Sequence, residues 1–139
     1  MINFLKYIFF MFFVLLDISV WLIIQTVPGP VVYKILKSRP WKVFCIQLQE
    51  KNALKLKLFL QNIIKIRIYH MNFLSSCLSK SISARIILDL FKMPNILKLS
   101  LYVSKNGKKK PHAFIEDTVS KINFIPNKKE NIEIVEVLD

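Results

Sequence analysis

The N-terminal segment, residues 1–27, is dominated by Phe, Leu, Ile and Val, and Asp17 interrupts it near its middle. Pro28-Gly29-Pro30 ends the helix that this apolar run predicts. A run of about 20 apolar residues is long enough to cross a membrane, where a central carboxylate costs roughly 2.5–3.5 kcal/mol. Three interpretations stay open for this helix: it is buried in a core, lies on a membrane surface, or spans the membrane.

The middle of the chain has a hydrophobic pattern that fits two kinds of element. Leucines at every second position from 54 to 58, and isoleucines from 64 to 68, are typical of strands. A helical face fits as well, formed by Leu56, Leu60, Ile63 and Ile64. The hydrophobic period does not decide between the two.

The pattern from Ser75 onward is clearer. Ser75 or Ser76 can cap a helix by accepting a hydrogen bond from an orphan backbone N–H, which puts Cys77 in the first turn. Pro94 ends this helix. The face that carries Cys77 continues through Ser81, Ala84, Leu88 and Phe91. Because the residues nearest the thiol are small, another element can approach it closely.

Strands follow the helix. Apolar residues alternate with polar ones from Leu97 to Val103, which predicts a strand with one buried face. Asn106-Gly107 is a turn signal, and "HAFIE" then predicts a second strand with His112, Phe114 and Glu116 on one face. Residues 121–125 and 131–137 predict a third and a fourth strand. The fold class is therefore α+β, with N-terminal helices and then a helix packed on a small antiparallel sheet.

Composition narrows the classes of function. A chain of 139 residues with 53% hydrophobic residues suits one domain with a real core. The net charge of +12 either attracts an anionic partner or reflects lysines on solvated faces. Aromatic and basic residues are not interleaved as in RNA-binding modules, so we predict no nucleic-acid partner. Two Gly, two Cys and two His provide neither a phosphate-binding loop nor a zinc finger, so we predict no cofactor and no metal.

Cys77 and His112 are the candidate reactive groups. The positive end of a helix lowers the pKa of a thiol, and so does a neighbouring imidazolium. The thiolate can attack a carbonyl carbon while the backbone amide of Cys77 holds the oxyanion, and His112 returns the proton to the leaving amine. Either residue alone has a plain structural interpretation: a packed small side chain for Cys77, and a surface residue for His112.

The segment "CLSKSISARIILDLFKMPNILKLSLYVSKNGKKKPHAFIED" resembles the transglutaminase-like cysteine peptidases of lasso-peptide gene clusters, the leader peptidases known as B proteins. Their pattern is a Cys-Leu pair that opens a helix, a basic helix end, a strand, and then a His-small-aromatic-aliphatic-Glu strand. Cys77-Leu78 and residues 112–116 match it in order and spacing. The resemblance covers residues 73–127, which we take as the catalytic core. The segment before it, residues 1–72, matches only in character, as apolar helices followed by a basic stretch.

The resemblance implies a papain-like or transglutaminase-like half-fold, with helices in the middle of the chain. It also implies hydrolysis of one peptide bond, which removes the leader from a ribosomally made precursor before an ATP-dependent macrolactam synthetase closes the ring. Longer relatives carry a leader-recognition domain. This chain is too short to include one, so the resemblance implies a separate recognition protein. We expect a cytoplasmic location, with the inner face of the membrane as an alternative because of residues 1–27.

The third catalytic position departs from the family. Where the family places an acidic residue in a stretch like "INDAPN", this chain reads "INFIPN", with Phe124 at the position of the acid. Asn123 stands beside it, and Asn is the third member in papain-like enzymes. If the loop after the second strand has four residues (117–120), Asn123 shares the face of His112; if it has five, Phe124 does.

Two other functions remain open. One is a small basic membrane-associated or scaffold protein with a degenerate Cys-His site, and the other is a transglutaminase-type acyl transferase that passes the acyl group to an amine.

Three further features have structural interpretations. Cys45 lies in an apolar run and is expected in the core, His70 is expected at a helix surface or in a loop, and Arg85 can pair with Asp89 on one helix face.

Overall fold

The structure is a computed structural model of the 139-residue chain. The residues that it describes are 2–43, 46–47, 49–71, 73–103, 107, 109–119, 122, 124 and 132–138. Four α-helices precede three strands, in agreement with the α+β class. The helices are α1 (Ile2–Thr26), α2 (Gly29–Ser38), α3 (Glu50–Tyr69) and α4 (Cys77–Leu90), and a short 3-10 helix spans Pro40–Val43. The strands are β1 (Asn95–Val103), β2 (Lys109–Asp117) and β3 (Ile132–Leu138).

The predicted proline-glycine segment separates the two N-terminal helices: α1 ends before it and α2 begins within it. α1 ends at Thr26, and Pro30 lies in the first turn of α2, where its missing N–H has no helical partner to lose. At the other end of α2, Arg39 takes a left-handed conformation with φ 50° and donates its N–H to the carbonyl of Ile35. This closes α2 and turns the chain into the 3-10 helix.

The middle segment is helical, so the strand interpretation of residues 54–68 is wrong. α3 buries Leu60, Ile63 and Ile64, which belong to the predicted helical face, whereas Leu54 and Leu58 are exposed. Lys57 of α3 is buried as well, and its Nζ lies 3.0 Å from Oδ2 of Asp117 at the end of β2. The alternating leucines therefore fall on different sides of a helix rather than on one face of a strand.

The sheet is antiparallel, with the strand order β2-β1-β3. The strand predicted at residues 131–137 is β3, and it pairs with β1 on the edge away from β2. The register of this pairing shifts between Leu99 and Ser100 of β1. Leu97 lies opposite Ile115, and both are fully buried. This face of the sheet packs on the helices, because it also carries Asn95, which is hydrogen-bonded to α4, and Asp117, which is paired with α3.

After β2 the chain returns beside that strand in a register that neither loop length predicted. Asp117 donates its N–H to the carbonyl of Ile122, and Phe124 donates to the carbonyl of Ile115. Phe124 therefore lies opposite Ile115 and is fully buried in the core that α3 and α4 share. The residue opposite Ile115 is thus neither Ile122 nor position 123, as the two loop lengths predicted, but Phe124 lies on the face away from His112, which agrees with the four-residue loop and not with the five-residue loop.

Asp89, near the end of α4, is held by residues outside its helix. Its Oδ2 accepts a hydrogen bond from Nε1 of Trp41 at 2.7 Å, and its Oδ1 accepts one from Nδ2 of Asn95 at 2.8 Å. The predicted pairing of Asp89 with Arg85 is wrong, because Arg85 donates to the carbonyl of Leu138 instead.

Candidate functional site

The start of α4 holds Cys77 in a defined position. Ser76 is the N-cap, and its hydroxyl accepts a hydrogen bond from the N–H of Ser79 at 3.1 Å. The hydroxyl of Ser79 in turn accepts one from the N–H of Ser76 at 2.8 Å, which completes a capping box. Cys77 is the first helical residue and is half-buried. Because the first N–H groups of a helix have no intrahelical acceptor, the backbone amides of Cys77 and Leu78 are available as oxyanion donors.

A buried polar cluster fixes this helix start to α1 and α3. Asp17 of α1 is fully buried, and its Oδ2 accepts hydrogen bonds from Nε of Arg67 at 2.8 Å and from Oγ of Ser75 at 2.6 Å. Its Oδ1 accepts one from Oγ of Ser79 at 2.5 Å. Arg67 is also fully buried and donates to the carbonyls of Met71 and Phe73. The carboxylate therefore joins α1, α3 and the residues around Cys77.

Lys80 is the basic residue nearest to the thiol along α4. It lies one turn after Cys77 and is almost fully buried, with its Nζ 3.5 Å from the carbonyl of Ser76. Burial lowers the pKa of Lys80, and the charge of Arg67 acts in the same direction. The negative charges of Asp17 and of an ionised Cys77 oppose this shift.

His112 lies in β2 opposite Ser100, and the hydroxyl of Ser100 donates to the carbonyl of His112 at 3.0 Å. The imidazole is half-buried and lies near the ring of Phe114, with 5.9 Å between the two centroids. Strand alternation puts it on the face of Phe114 and Glu116, and not on the face of Ile115. Among the described residues, no hydrogen bond joins the thiol of Cys77 to this ring. The structure thus does not form the predicted Cys77–His112 hydrogen bond, and it places the imidazole on the face of β2 opposite Ile115.

The remaining sequence candidates have different outcomes. Asn123, the proposed third member, and Cys45 lie outside the described residues. Phe124 does not share the face of His112, because it is opposite Ile115. His70 caps the C-terminal end of α3 and is exposed, as predicted. In the part of the chain that is described, no group of three His, Cys, Asp or Glu side chains could hold a metal ion.

Sequence reasoning missed the role of Asp17. The signal was a single carboxylate in a long apolar helix, which we took as a cost of membrane insertion. A carboxylate in such a setting is also a sign of a buried cationic partner. That partner, Arg67, lies far along the chain in a segment whose secondary structure the pattern did not decide.

The opposite side of α1 is apolar and exposed. Residues 3–26 form a helix that is long and hydrophobic enough to cross a membrane, with a mean hydropathy of 2.5 and 22% of that window buried. Phe13, Asp17 and Val20 face the protein. The large apolar side chains that α1 exposes are Phe4, Leu5, Tyr7, Ile8, Met11, Phe12, Leu15, Leu22 and Ile23. Such a surface is unusual for a soluble monomer.

Comparison with known proteins adds no relative to this description. No protein-family model, no curated protein and no solved structure matches the chain.

Proposed function

We propose that the protein is a cysteine peptidase that removes the leader from a ribosomally made lasso-peptide precursor. The observation that carries the proposal is the position of Cys77 at the start of α4. A capping box and the cluster around Asp17 hold that helix start in place. The thiol stands in the first turn of the helix, with Lys80 one turn further along α4, and the thiolate is the reactive form of cysteine.

The chemistry is acyl transfer to the thiol followed by hydrolysis. The thiolate of Cys77 attacks the carbonyl carbon of the scissile bond, and the first-turn amides of α4 stabilise the oxyanion. His112 gives a proton to the leaving amine, so that the core peptide departs and the leader stays as a thioester. Water then attacks the thioester, and the thiolate is released. His112 lies on the face of β2 opposite Ile115, so the proposed dyad requires a rearrangement on substrate binding that brings the ring to the thiol.

The partners of such an enzyme follow from the proposed reaction. The substrate is the leader of the precursor peptide, a separate protein recognises that leader, and an ATP-dependent macrolactam synthetase takes the product. We place the protein in the cytoplasm at the inner face of the membrane. The exposed apolar side of α1 supports this location, and so does the net charge of +12, because cytoplasmic leaflets carry anionic lipids.

A cleavage assay with purified protein, precursor and recognition protein tests the reaction. Cys77→Ala should abolish cleavage and keep the fold, since Ala fits the half-buried position. Cys45→Ala is the matched control and should retain activity. Lys80→Met and His112→Gln separate the two possible activating groups: loss of activity in His112→Gln supports the dyad. Wild-type cleavage by Cys77→Ala would overturn the assignment.

One observation favours a second candidate, a membrane-associated protein with a degenerate Cys-His site: the thiol and the imidazole are not hydrogen-bonded among the described residues. The same assay distinguishes it, because a degenerate site leaves the precursor intact in the wild-type protein. An acyl transferase would instead join the leader to an added amine such as hydroxylamine faster than to water.

Sedimentation with vesicles of phosphatidylglycerol and phosphatidylcholine tests the membrane location. The triple variant Ile8→Ser, Phe12→Ser, Leu15→Ser should lose vesicle binding, because these side chains lie on the exposed side of α1. Leu54→Ser with Leu58→Ser is the control, since these leucines are exposed to a similar degree on α3. Equal binding by both variants would contradict contact through α1.

A further inference from the structure

A groove lies between the N-terminal half of α1 and the C-terminal half of α3. It has a volume of about 280 Å³ and is open to solvent. Lys6, Tyr7 and Phe10 form its wall on α1, and the wall on α3 extends from Phe59 to Ile66. Phe59 and Ile66 are two helical turns apart, so the groove is about 10 Å long on this side. Its lining does not include Cys77 or His112, so the groove is separate from the candidate reactive groups.

Most of the groove is aromatic or aliphatic. Ile63 is buried and lies at its base, and Phe10 and Phe59 are half-buried. Tyr7 and Ile66 are 72% and 41% exposed, so they stand at its rim. Ligand pockets are typically lined by apolar and aromatic side chains with a few polar groups that fix orientation. An occupant therefore needs an apolar part that packs on these rings and aliphatic side chains.

The rim of the groove adjoins the exposed apolar side of α1. Tyr7 lies one helical turn before Met11, and side chains at this spacing are neighbours on a helix. Met11 is 49% exposed and belongs to the large apolar side chains that α1 exposes. A single peptide side chain would fill the groove and leave that side of α1 in water. A lipid surface covers both the groove and the exposed side.

Lys6 adds a positive charge to the groove. Its Nζ lies 5.9 Å from the ring centroid of Phe59, so the ammonium stands over an aromatic residue of the opposite wall. Lys6 is exposed, and among the described residues no carboxylate forms an ion pair with it. The sequence accounts for this, because Lys6 is the one charged residue in positions 2–16 and every charged residue in positions 51–66 is a lysine. The groove therefore favours a ligand that joins an anionic group to an apolar chain.

Lys6 and Tyr7 together have the character of a membrane–water interface. Tyrosine rings are enriched at the level of lipid headgroups, and lysines extend their ammonium groups to that level while their stems cover apolar surface. Lys55 lies one turn before Phe59 on α3 and is exposed, so it adds a second positive charge near the same end of the groove. This combination fits the head and the first part of the chain of an anionic lipid.

We propose that the groove binds one acyl chain of an anionic phospholipid, with the phosphate of the lipid against Lys6. The chain packs between Phe10 and Phe59 and on Ile63, and the headgroup stays at the rim beside Tyr7. This site rests on the membrane location proposed above. It adds a defined position for one lipid to the general contact of α1 with a lipid surface.

Native mass spectrometry tests the proposal with the 139-residue chain in a neutral detergent that contains equal amounts of phosphatidylglycerol and phosphatidylcholine with the same acyl chains. We expect the protein to retain one phospholipid. Phosphatidylglycerol should be retained about fivefold more often than phosphatidylcholine, which corresponds to the ~1 kcal/mol of one lysine at an anionic lipid surface. Equal retention of the two lipids, or retention of neither, would overturn the proposal.

Variants assign the lipid to the groove. Lys6→Gln should abolish the preference for phosphatidylglycerol, whereas Lys34→Gln removes an exposed lysine of α2 outside the groove and should keep it. Asn62→Trp puts a large side chain at the exposed mouth of the groove and should lower the retention of both lipids. Asn52→Trp is its matched control, because Asn52 is exposed on α3 and does not line the groove. Wild-type preference in Lys6→Gln, or wild-type retention in Asn62→Trp, would contradict the site.

This experiment separates the lipid site from the proposals on which it builds. It uses neither precursor cleavage nor vesicle sedimentation. A protein that sediments with vesicles but retains no phosphatidylglycerol would lie on the membrane without this site, so the site would be wrong and the location would stand. A protein that retains phosphatidylglycerol through Lys6 but does not sediment would have the site, and the membrane location would be wrong.

Discussion

Removal of the Asp17 carboxylate should strongly destabilise the protein, because this carboxylate forms a buried ion pair with Arg67. Both Asp17 and Arg67 are 0% exposed, and their side chains are joined at 2.8 Å. In Asp17→Ala the guanidinium of Arg67 stays buried without its counter-charge. Breaking a buried ion pair from one side costs about 3–5 kcal/mol. Arg67 keeps its hydrogen bonds to the carbonyls of Met71 and Phe73, so we expect the lower end of this range.

Urea unfolding followed by circular dichroism, in a mild detergent that keeps the protein monodisperse, measures this loss. Small domains are stable by about 5–15 kcal/mol in total, so a loss of about 3 kcal/mol is easily resolved. The matched control is Glu116→Ala, which breaks an ion pair of similar length, 3.1 Å from Lys98, but with both side chains 26% exposed. Exposed pairs contribute about 0–1 kcal/mol, so the control should stay close to wild type.

A double-mutant cycle distinguishes the ion pair from a general packing defect. Asp17→Leu with Arg67→Met replaces the pair by apolar side chains of similar size, which is often neutral or stabilising in a protein interior. The double variant should therefore be more stable than either single variant. The reasoning fails if the losses of unfolding free energy in the two single variants simply add in the double variant. It also fails if Asp17→Ala destabilises the protein no more than Glu116→Ala does.

Three further predictions concern the core and the helix start. Phe124→Asp should destabilise the protein by several kcal/mol and should not raise activity, because it puts an unpaired charge in the core and not beside His112; a stable or more active variant would show that position 124 faces the imidazole. Deletion of residues 1–26 should abolish cooperative melting, since Phe13, Asp17 and Val20 are buried against the rest of the protein; a truncated protein that still melts cooperatively would make α1 a dispensable anchor. Burial lowers the pKa of Lys80 below its ordinary value of 10.5, so the unfolded chain keeps this proton to a higher pH than the folded protein does. The stability of wild type relative to Lys80→Met should therefore rise as the pH increases through the lowered pKa towards 10.5. A stability difference that stays constant over this pH window would refute the shift.

Local chemistry made the helix at Cys77 and the strand after it predictable. Ser76 can cap a helix, Pro94 cannot continue one, and the alternation that starts at Leu97 fits only a half-buried strand. These signals act within a few residues of each other. The structure confirms α4 from Cys77 to Leu90 and β1 from Asn95 to Val103.

The predictions that were wrong, and the contacts that were missed, depend on residues that are far apart in the sequence. The register of the segment after β2 follows from the burial of Phe124 against α3 and α4, which no local signal reports. The partners of Asp17 and Asp89 come from other helices and loops, so the i, i+4 spacing of Arg85 and Asp89 was misleading. In α3, the alternation of Leu54, Leu56 and Leu58 could not distinguish helix from strand without knowing which side the core occupies.

The pairing of Asp17 with Arg67 also bears on how α1 would meet a membrane in the proposed location. A spanning α1 would carry Asp17 into lipid and would leave Arg67 buried without its counter-charge, so the helix would lose the pair and pay for an isolated carboxylate as well. A helix that lies along the surface keeps the pair inside the protein and still buries side chains such as Phe12 and Leu15 in lipid. We therefore expect α1 to lie in the membrane interface. In that arrangement the same helix that contacts lipid holds Ser79, and with it the first turn that carries Cys77, in place.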